Sequence, residues 1–215
     1  MEKRVPLFYR IKRKNHAEIA RLQDMVIEII YRTMSRAVLH GGTAIWRCYS
    51  GSRFSDDIDM YLEKNEKAIE NFFNELKSAG FSVSKREVGE NSIYSVIELG
   101  GVTVRFEAVF KKVLGIVKEY ETYEGMLMNV YTLLPEELIL EKISAYEKRR
   151  KIRDLFDIFF LLRYADNPGK IRTRLKAFVD GFTKPVDEGE LKVIVLFGAI
   201  PSRTQMLDYI KRWLG

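Results

Sequence analysis

The apolar residues of this 215-residue chain change their spacing twice, and that limits the folds open to it. Over residues 16–36, Ile19, Leu22, Val26, Ile29 and Ile30 recur at three- and four-residue steps, which predicts a helix. A short strand "AVLH", a brief helix "TAIWRCY" with Thr43 as its cap, and a strand "DIDMYL" follow. Residues 64–79 read as an amphipathic helix carrying Ile69, Phe72, Phe73 and Leu76, stopped by Gly80. The period then becomes two. "FSVSKREV", "SIYSVIEL" and "VTVRFEAVF" predict successive antiparallel strands, and "GIVKEYE" and "MLMNVYTL" two more. From Pro135 the helical period returns, predicting helices near 135–149, 152–165, 169–180, 189–198 and 203–214. The expectation is an α+β chain: an α/β domain over residues 1–134 and a helical domain over 135–215 packed on it.

Composition narrows the function less than the fold. Thirty-six basic and 30 acidic residues are interspersed and leave a net charge of +6, which permits a polyanionic partner without requiring one. Basic clusters at Lys12–Lys14, Lys148–Arg153 and Lys170–Lys176 could grip RNA phosphates or simply be solvated helix faces. Cys48 is the only cysteine, so no disulfide forms within the chain. No stretch approaches the roughly 20 apolar residues of a membrane span, and the basic N-terminus "MEKRVPLFYRIKRKN" lacks an apolar signal core. The expected location is the cytoplasm, with no membrane partner.

The chemistry concentrates in "GGTAIWRCYSGSRFSDDIDMYL", residues 41–62. In a strand, Asp57 and Asp59 share one face with Cα atoms about 6.5–7 Å apart, while Ile58 and Met60 turn to the core. Adjacent carboxylates repel unless a cation sits between them, and Mg²⁺ is bound by one or two carboxylates completed by substrate phosphates. By itself such a pair most often ends a strand in solvent. A calcium loop is excluded because Tyr61 and Leu62 stand where it needs an acid or amide and a glycine. Upstream, Gly41 and Gly42 lie between a strand and a helix, where backbone can approach a ligand closely and helix-start amides suit phosphate; Thr43 adds a hydroxyl. The two common glycine-rich nucleotide loops are absent.

Glycines, hydroxyl and D-x-D in this order resemble the signature of the polymerase-beta-type nucleotidyltransferase superfamily. "LHGGTAIWRCYSGSRFSDDIDMYL" is similar to its AbiEii/AbiGii toxin branch. The resemblance implies that superfamily's fold, a mixed β-sheet flanked by helices. It also implies a Mg²⁺ site, two-metal in form and open to Mn²⁺, on Asp57 and Asp59, with Asp56 in a variable slot. Gly41, Gly42 and Thr43 would cradle the triphosphate, and Arg53 and Ser55 would support the loop or the nucleotide. A third carboxylate is implied on a later strand. Glu107 is the candidate; it shares a face with Arg105 and Val109, and its plain alternative is an exposed glutamate paired with Arg105 or a lysine.

A second stretch, "PEELILEKISAYEKRRKIRDLFDIFFLL", has helical spacing, with Lys142 beside the apolar stripe of Leu138, Ile139, Ile143 and Tyr146. Read from the residues alone, its charges make an exposed face joined by i,i+4 pairs worth about 0.3–0.5 kcal/mol each. The stretch also resembles the same toxin branch. By that resemblance Lys142 contacts the triphosphate, while Arg153, Asp154 and Asp157 complete the nucleotide pocket or brace its helices. The implied activity is Mg²⁺-dependent transfer of a nucleoside monophosphate from an NTP to an acceptor hydroxyl. Relatives in the branch include toxins, some acting on tRNA ends, so the resemblance implies an NTP, an acceptor that is RNA or tRNA or else a protein, and an antitoxin protein where the chain is one half of a toxin–antitoxin pair. The rival is a non-catalytic nucleotide- or RNA-binding module on the same fold. His16 and His40 are too few and too separate for zinc.

Overall fold

The computed structural model describes residues 5–215; Lys3 and Arg4 of the basic N-terminal stretch lie outside the described residues. The elements run α1 (Leu7–Arg10), α2 (Lys14–Thr33), β1 (Val38–His40), α3 (Gly41–Cys48), β2 (Asp57–Leu62) and α4 (Glu66–Ser78). Then come β3 (Ser82–Val88), β4 (Ser92–Leu99), β5 (Val102–Phe110), β6 (Ile116–Glu121) and β7 (Leu127–Thr132). Helices α5 (Pro135–Arg149), α6 (Ile152–Leu161), α7 (Arg172–Asp180), α8 (Leu191–Ile194) and α9 (Arg203–Leu214) complete the chain. No helix among the described residues is long and apolar enough to cross a membrane.

The chain forms two compact units. The first comprises the described residues through Cys48 together with Phe54–Leu133; the second comprises Tyr49–Arg53 and Leu134–Gly215. The five-residue segment after α3 thus belongs to the helical unit, an assignment that helical or strand periodicity could not signal.

Unit 1 holds a seven-stranded mixed sheet in the order β3-β4-β5-β2-β1-β7-β6. β2 runs parallel to β5 and β1 parallel to β7, and the other neighbours are antiparallel. Period-two alternation sorts each strand. On β5, Val104, Phe106 and Ala108 are buried while Arg105, Glu107 and Val109 are exposed; on β2, Ile58, Met60 and Leu62 are buried. The buried face is covered by α2, through Val26, Ile27 and Ile30, and by α4, whose Phe72 ring lies 5.0 Å from that of Phe106. Asn65 caps α4, its side chain accepting from the Ala68 N–H. Arg47 on α3 is fully buried; it donates to the carbonyls of Ala20 and Glu121 and to the Asp24 carboxylate, and so ties α3 to α2 and β6.

Unit 2 is helical, with α5 packed on α6 and α6 on α9. The helix expected over 189–198 is shorter than its pattern: only Leu191–Ile194 is α-helical, after a 3-10 turn over Glu188–Glu190. The chain then leaves the helix because Val195 bridges to Arg53 and the Leu196 N–H bonds the Ser52 carbonyl, partners remote in sequence.

Candidate active site

Strand β1 ends at His40 and enters α3 at Gly41 with no intervening loop. Antiparallel pairing sets His40 opposite Asp59, and parallel pairing sets Asp57 opposite Arg105 and Asp59 opposite Glu107. Side chains directly opposite on neighbouring strands share a face about 4.8 Å apart. Asp57, Asp59 and Glu107 therefore stand together on the sheet face opposite Ile58, Met60 and Phe106, beside the first turn of α3. The first N–H groups of that turn have no partner within the helix and carry its positive end.

Gly41 fits this turn for two reasons. Its φ is +70°, and a Cβ there would lie 2.1 Å from Asp59 Oδ2. The Asp59 carboxylate thus rests in the space that a side chain at position 41 would fill. Gly41→Ala is expected to lose about 1–2 kcal/mol to left-handed strain, with a further loss from displacing Asp59. Gly101→Ala, also at positive φ but with open space around it, should show the strain alone. Denaturant midpoints of the two variants measure the difference.

Helix α2 supplies a support that the sequence reading passed over. Gln23 is fully buried; its amide donates to the Ser55 carbonyl at 2.9 Å and lies 3.4 Å from Thr43 Oγ1. The signal for it was a glutamine on the apolar stripe, four residues after Ile19 and three before Val26. Thr43 does not cap its helix, which starts two residues before it; its hydroxyl donates to the Asp57 carbonyl instead and anchors the start of β2. Ser55 is buried and contributes its carbonyl. Asp56 is exposed.

Arg105 closes its guanidinium fork on Asp57, with Nε 2.7 Å from Oδ1 and Nη2 2.6 Å from Oδ2. The sequence reading offered Arg105 only as a partner for Glu107. Burial pushes the Asp57 carboxyl above its usual range; the bonds from Arg105 pull it back in part, and the charges of Asp56 and Asp59 raise it further. Because Arg105 is about half exposed, the pair contributes no more than about 1 kcal/mol and can open. Among the described residues no three acidic, histidine or cysteine side chains converge as a ready metal cage. The donor set nevertheless fits a hard divalent cation: it is all carboxylate oxygen, and Asp57 already holds a positive group.

The other candidates belong to unit 2 and have turned their charges on one another. Arg53 holds Asp157 through Nε–Oδ1 and Nη2–Oδ2 contacts of 2.5 Å each. Lys142 Nζ is 2.9 Å from Asp157 and 3.7 Å from Asp154, and Arg149 takes both Asp154 oxygens at 2.7 Å. Asp154 and Asp157 are fully buried, so the reading as an exposed face of i,i+4 pairs is corrected: packing of α5 on α6 encloses them. Arg153 is half-exposed and forms no ion pair with a described residue.

The profile of the family described as nucleotidyl transferase AbiEii toxin, type IV toxin–antitoxin system, matches residues 31–205. No curated protein matches the sequence. Among solved structures, the fold is similar to MenT4, the nucleotidyltransferase toxin Rv2826c from Mycobacterium tuberculosis H37Rv. The TM-score is 0.66 at 16% identity, over 93% of this chain and 82% of that one. It is also similar to JHP933 from Helicobacter pylori, with TM-score 0.63 and 18% identity, over 92% and 90% of the two chains. ANT(2″)-Ia in complex with adenylyl-2″-tobramycin superposes with TM-score 0.50 and 15% identity, over 76% and 98%.

Proposed function

The chain belongs to the nucleotidyl transferase AbiEii toxin family, and on that premise we propose that it transfers a nucleoside monophosphate from an NTP to a hydroxyl of an RNA, with a tRNA end as the leading acceptor. The observation that carries this reading is the register that sets Asp59 opposite Glu107 and against the Gly41 turn.

In this reading Asp57, Asp59 and Glu107 would hold a divalent metal, Mg²⁺ or Mn²⁺, which would supply positive charge against the triphosphate and the departing pyrophosphate. The N–H groups of Gly41, Gly42 and Thr43 receive phosphate oxygens at the start of α3. Arg105, released from Asp57, is free to meet the same negative charge. The acceptor oxygen bonds to the α-phosphorus, the bond from that phosphorus to the bridging oxygen breaks, and pyrophosphate leaves. Glu107, exposed on the strand beside Asp59, takes the acceptor's proton. The network of Arg53, Lys142, Asp154 and Asp157 braces the helical unit, and Arg153, outside that network, remains a candidate for the nucleotide. The protein works in the cytoplasm, where NTPs are supplied, and a cognate antitoxin restrains it.

Incubation with Mg²⁺, each labelled NTP and total RNA tests the reading. Label should pass to RNA and vanish in Asp57→Ala. Folded protein that binds NTP yet labels no RNA under varied metals would overturn it.

A further inference from the structure

The face that carries the three carboxylates does not end with them. Tyr61 follows Asp59 by two residues on β2, hence on the same side and about 7 Å further along. There a cavity of about 430 Å³ opens between the ends of β2 and β5, the start of β1 and the linker before β6. Its floor is aromatic and its rim cationic: Tyr61 and Tyr131 lie below Arg36, Lys111 and Lys112, and Leu114 stands at the edge.

Three features mark it as a built site. Gly115 brings the linker down onto the floor: a Cβ there would lie 3.1 Å from both Val38 and Tyr131 side-chain atoms, so the wall is as close as backbone can come. Tyr131 is fixed at its main chain, its N–H and carbonyl each bonded at 3.0 Å to the Tyr31 hydroxyl, while its side chain contributes to a residue 37% exposed. Leu114 is 94% exposed, an apolar group held in water beside the aromatic floor. The charge is mainly positive, with Arg36, Lys111 and Lys112 set against the single acid Glu63 in the lining. Arg36 and Lys111 form no ion pair with a described residue, and Lys112 meets only Glu63 across 3.3 Å of solvent-exposed surface. Lys111 Nζ stands 5.3 Å from the Tyr61 ring.

Aromatic and apolar surface beside three cations that outnumber the single acid Glu63 matches a nucleotide, whose base has a face to stack and whose phosphate has a charge to meet. An acidic peptide would use the cations and leave the floor unmatched. We propose that this cavity is the track for the acceptor strand: it holds a nucleotide of a single-stranded RNA next to the terminal one, so that the strand's 3′-hydroxyl reaches Asp59 and Glu107. The assignment rests on the RNA-acceptor reading above and adds to it a site and a direction of approach.

Binding of a short labelled single-stranded RNA with a free 3′ end, titrated at several salt concentrations, tests it. Lys111→Gln/Lys112→Gln is expected to weaken binding at least tenfold and to lower the salt slope by about 1.4, the value for two lost contacts to a single strand. Lys111→Glu/Lys112→Glu should weaken it further. Lys67→Glu/Lys77→Glu makes the same charge change on α4, which covers the opposite face, and should bind as wild type does. Wild-type protein that neither binds nor labels RNA removes the RNA-acceptor reading and the track with it. If the wild type labels RNA and both Lys111/Lys112 variants bind it like the α4 control, the track alone falls. Lysine-dependent capture of a polyglutamate peptide with no effect on RNA also overturns it.

Discussion

Asp157→Asn is expected to destabilise the helical unit by about 3–5 kcal/mol, the usual cost of removing one partner from a buried ion pair. In the wild type both Asp157 oxygens are taken, by Arg53 and by Lys142, and both cations are nearly as buried as the aspartate. Asparagine fills the same volume but removes the negative charge that Arg53 and Lys142 share, leaving Lys142 the more distant Asp154 at 3.7 Å. Trp213 on α9 reports this unit, and the chain's other tryptophan, Trp46 on α3, reports the sheet unit. Urea titration in a Trp46→Phe background therefore reads the loss where it occurs. A shift under about 1 kcal/mol would show that the network is not a stabilising element.

The same pair predicts a pH dependence. Burial alone would raise the Asp157 carboxyl, but the charges of Arg53 and Lys142 outweigh it and hold the group below its ordinary range. A carboxyl depressed in the folded state contributes stability that is complete above its unfolded pKa, near 3.9. That stability is lost as pH falls through the lower, folded value. The gap between wild type and Asp157→Asn should thus be constant from neutral pH to about 5 and shrink on further acidification.

The second large effect is catalytic. Asp59→Asn is expected to reduce nucleotide transfer by about 10³-fold, equivalent to about 4 kcal/mol of transition-state stabilisation. Asp59 sits in the hollow at Gly41 and faces Glu107, so its charge cannot be replaced from the side. Asp56→Asn, three residues earlier and exposed, should change the rate less than about threefold. Loss of Mn²⁺ binding by electron paramagnetic resonance in Asp59→Asn, and its retention in Asp56→Asn, provides a readout that does not depend on turnover. An Asp59→Asn protein retaining a tenth of the wild-type rate would remove Asp59 from the reaction.

Much of this was legible in the chain. Period-two spacing placed Asp57 with Asp59 and Glu107 with Arg105, because alternation alone decides which side of a strand a residue faces. The glycine pair before a helix and the paired aspartates after it were legible as neighbours of one strand–helix–strand turn, and the structure sets the Asp59 carboxylate against Gly41. The return of helical spacing at Pro135 marked the start of the helices.

The partners were not legible, and the reason is physical. Spacing is a local property, whereas register and ion pairing join residues about 50 or 100 positions apart. That Asp59 faces Glu107 follows from β2 and β5 being parallel neighbours, and no local rule states which strands will adjoin. The same pairing gave Arg105 to Asp57, although Glu107 was its nearer neighbour in sequence. Arg53 lies only four residues before Asp57, yet folding commits it to Asp157, 104 residues away. The sequence by itself determined most of the elements, the faces of the strands and the class of chemistry, but not α1 or the shortness of α8. Only the tertiary structure decided which charges meet, because desolvation penalises every buried charge and leaves it only the partners that packing brings within reach.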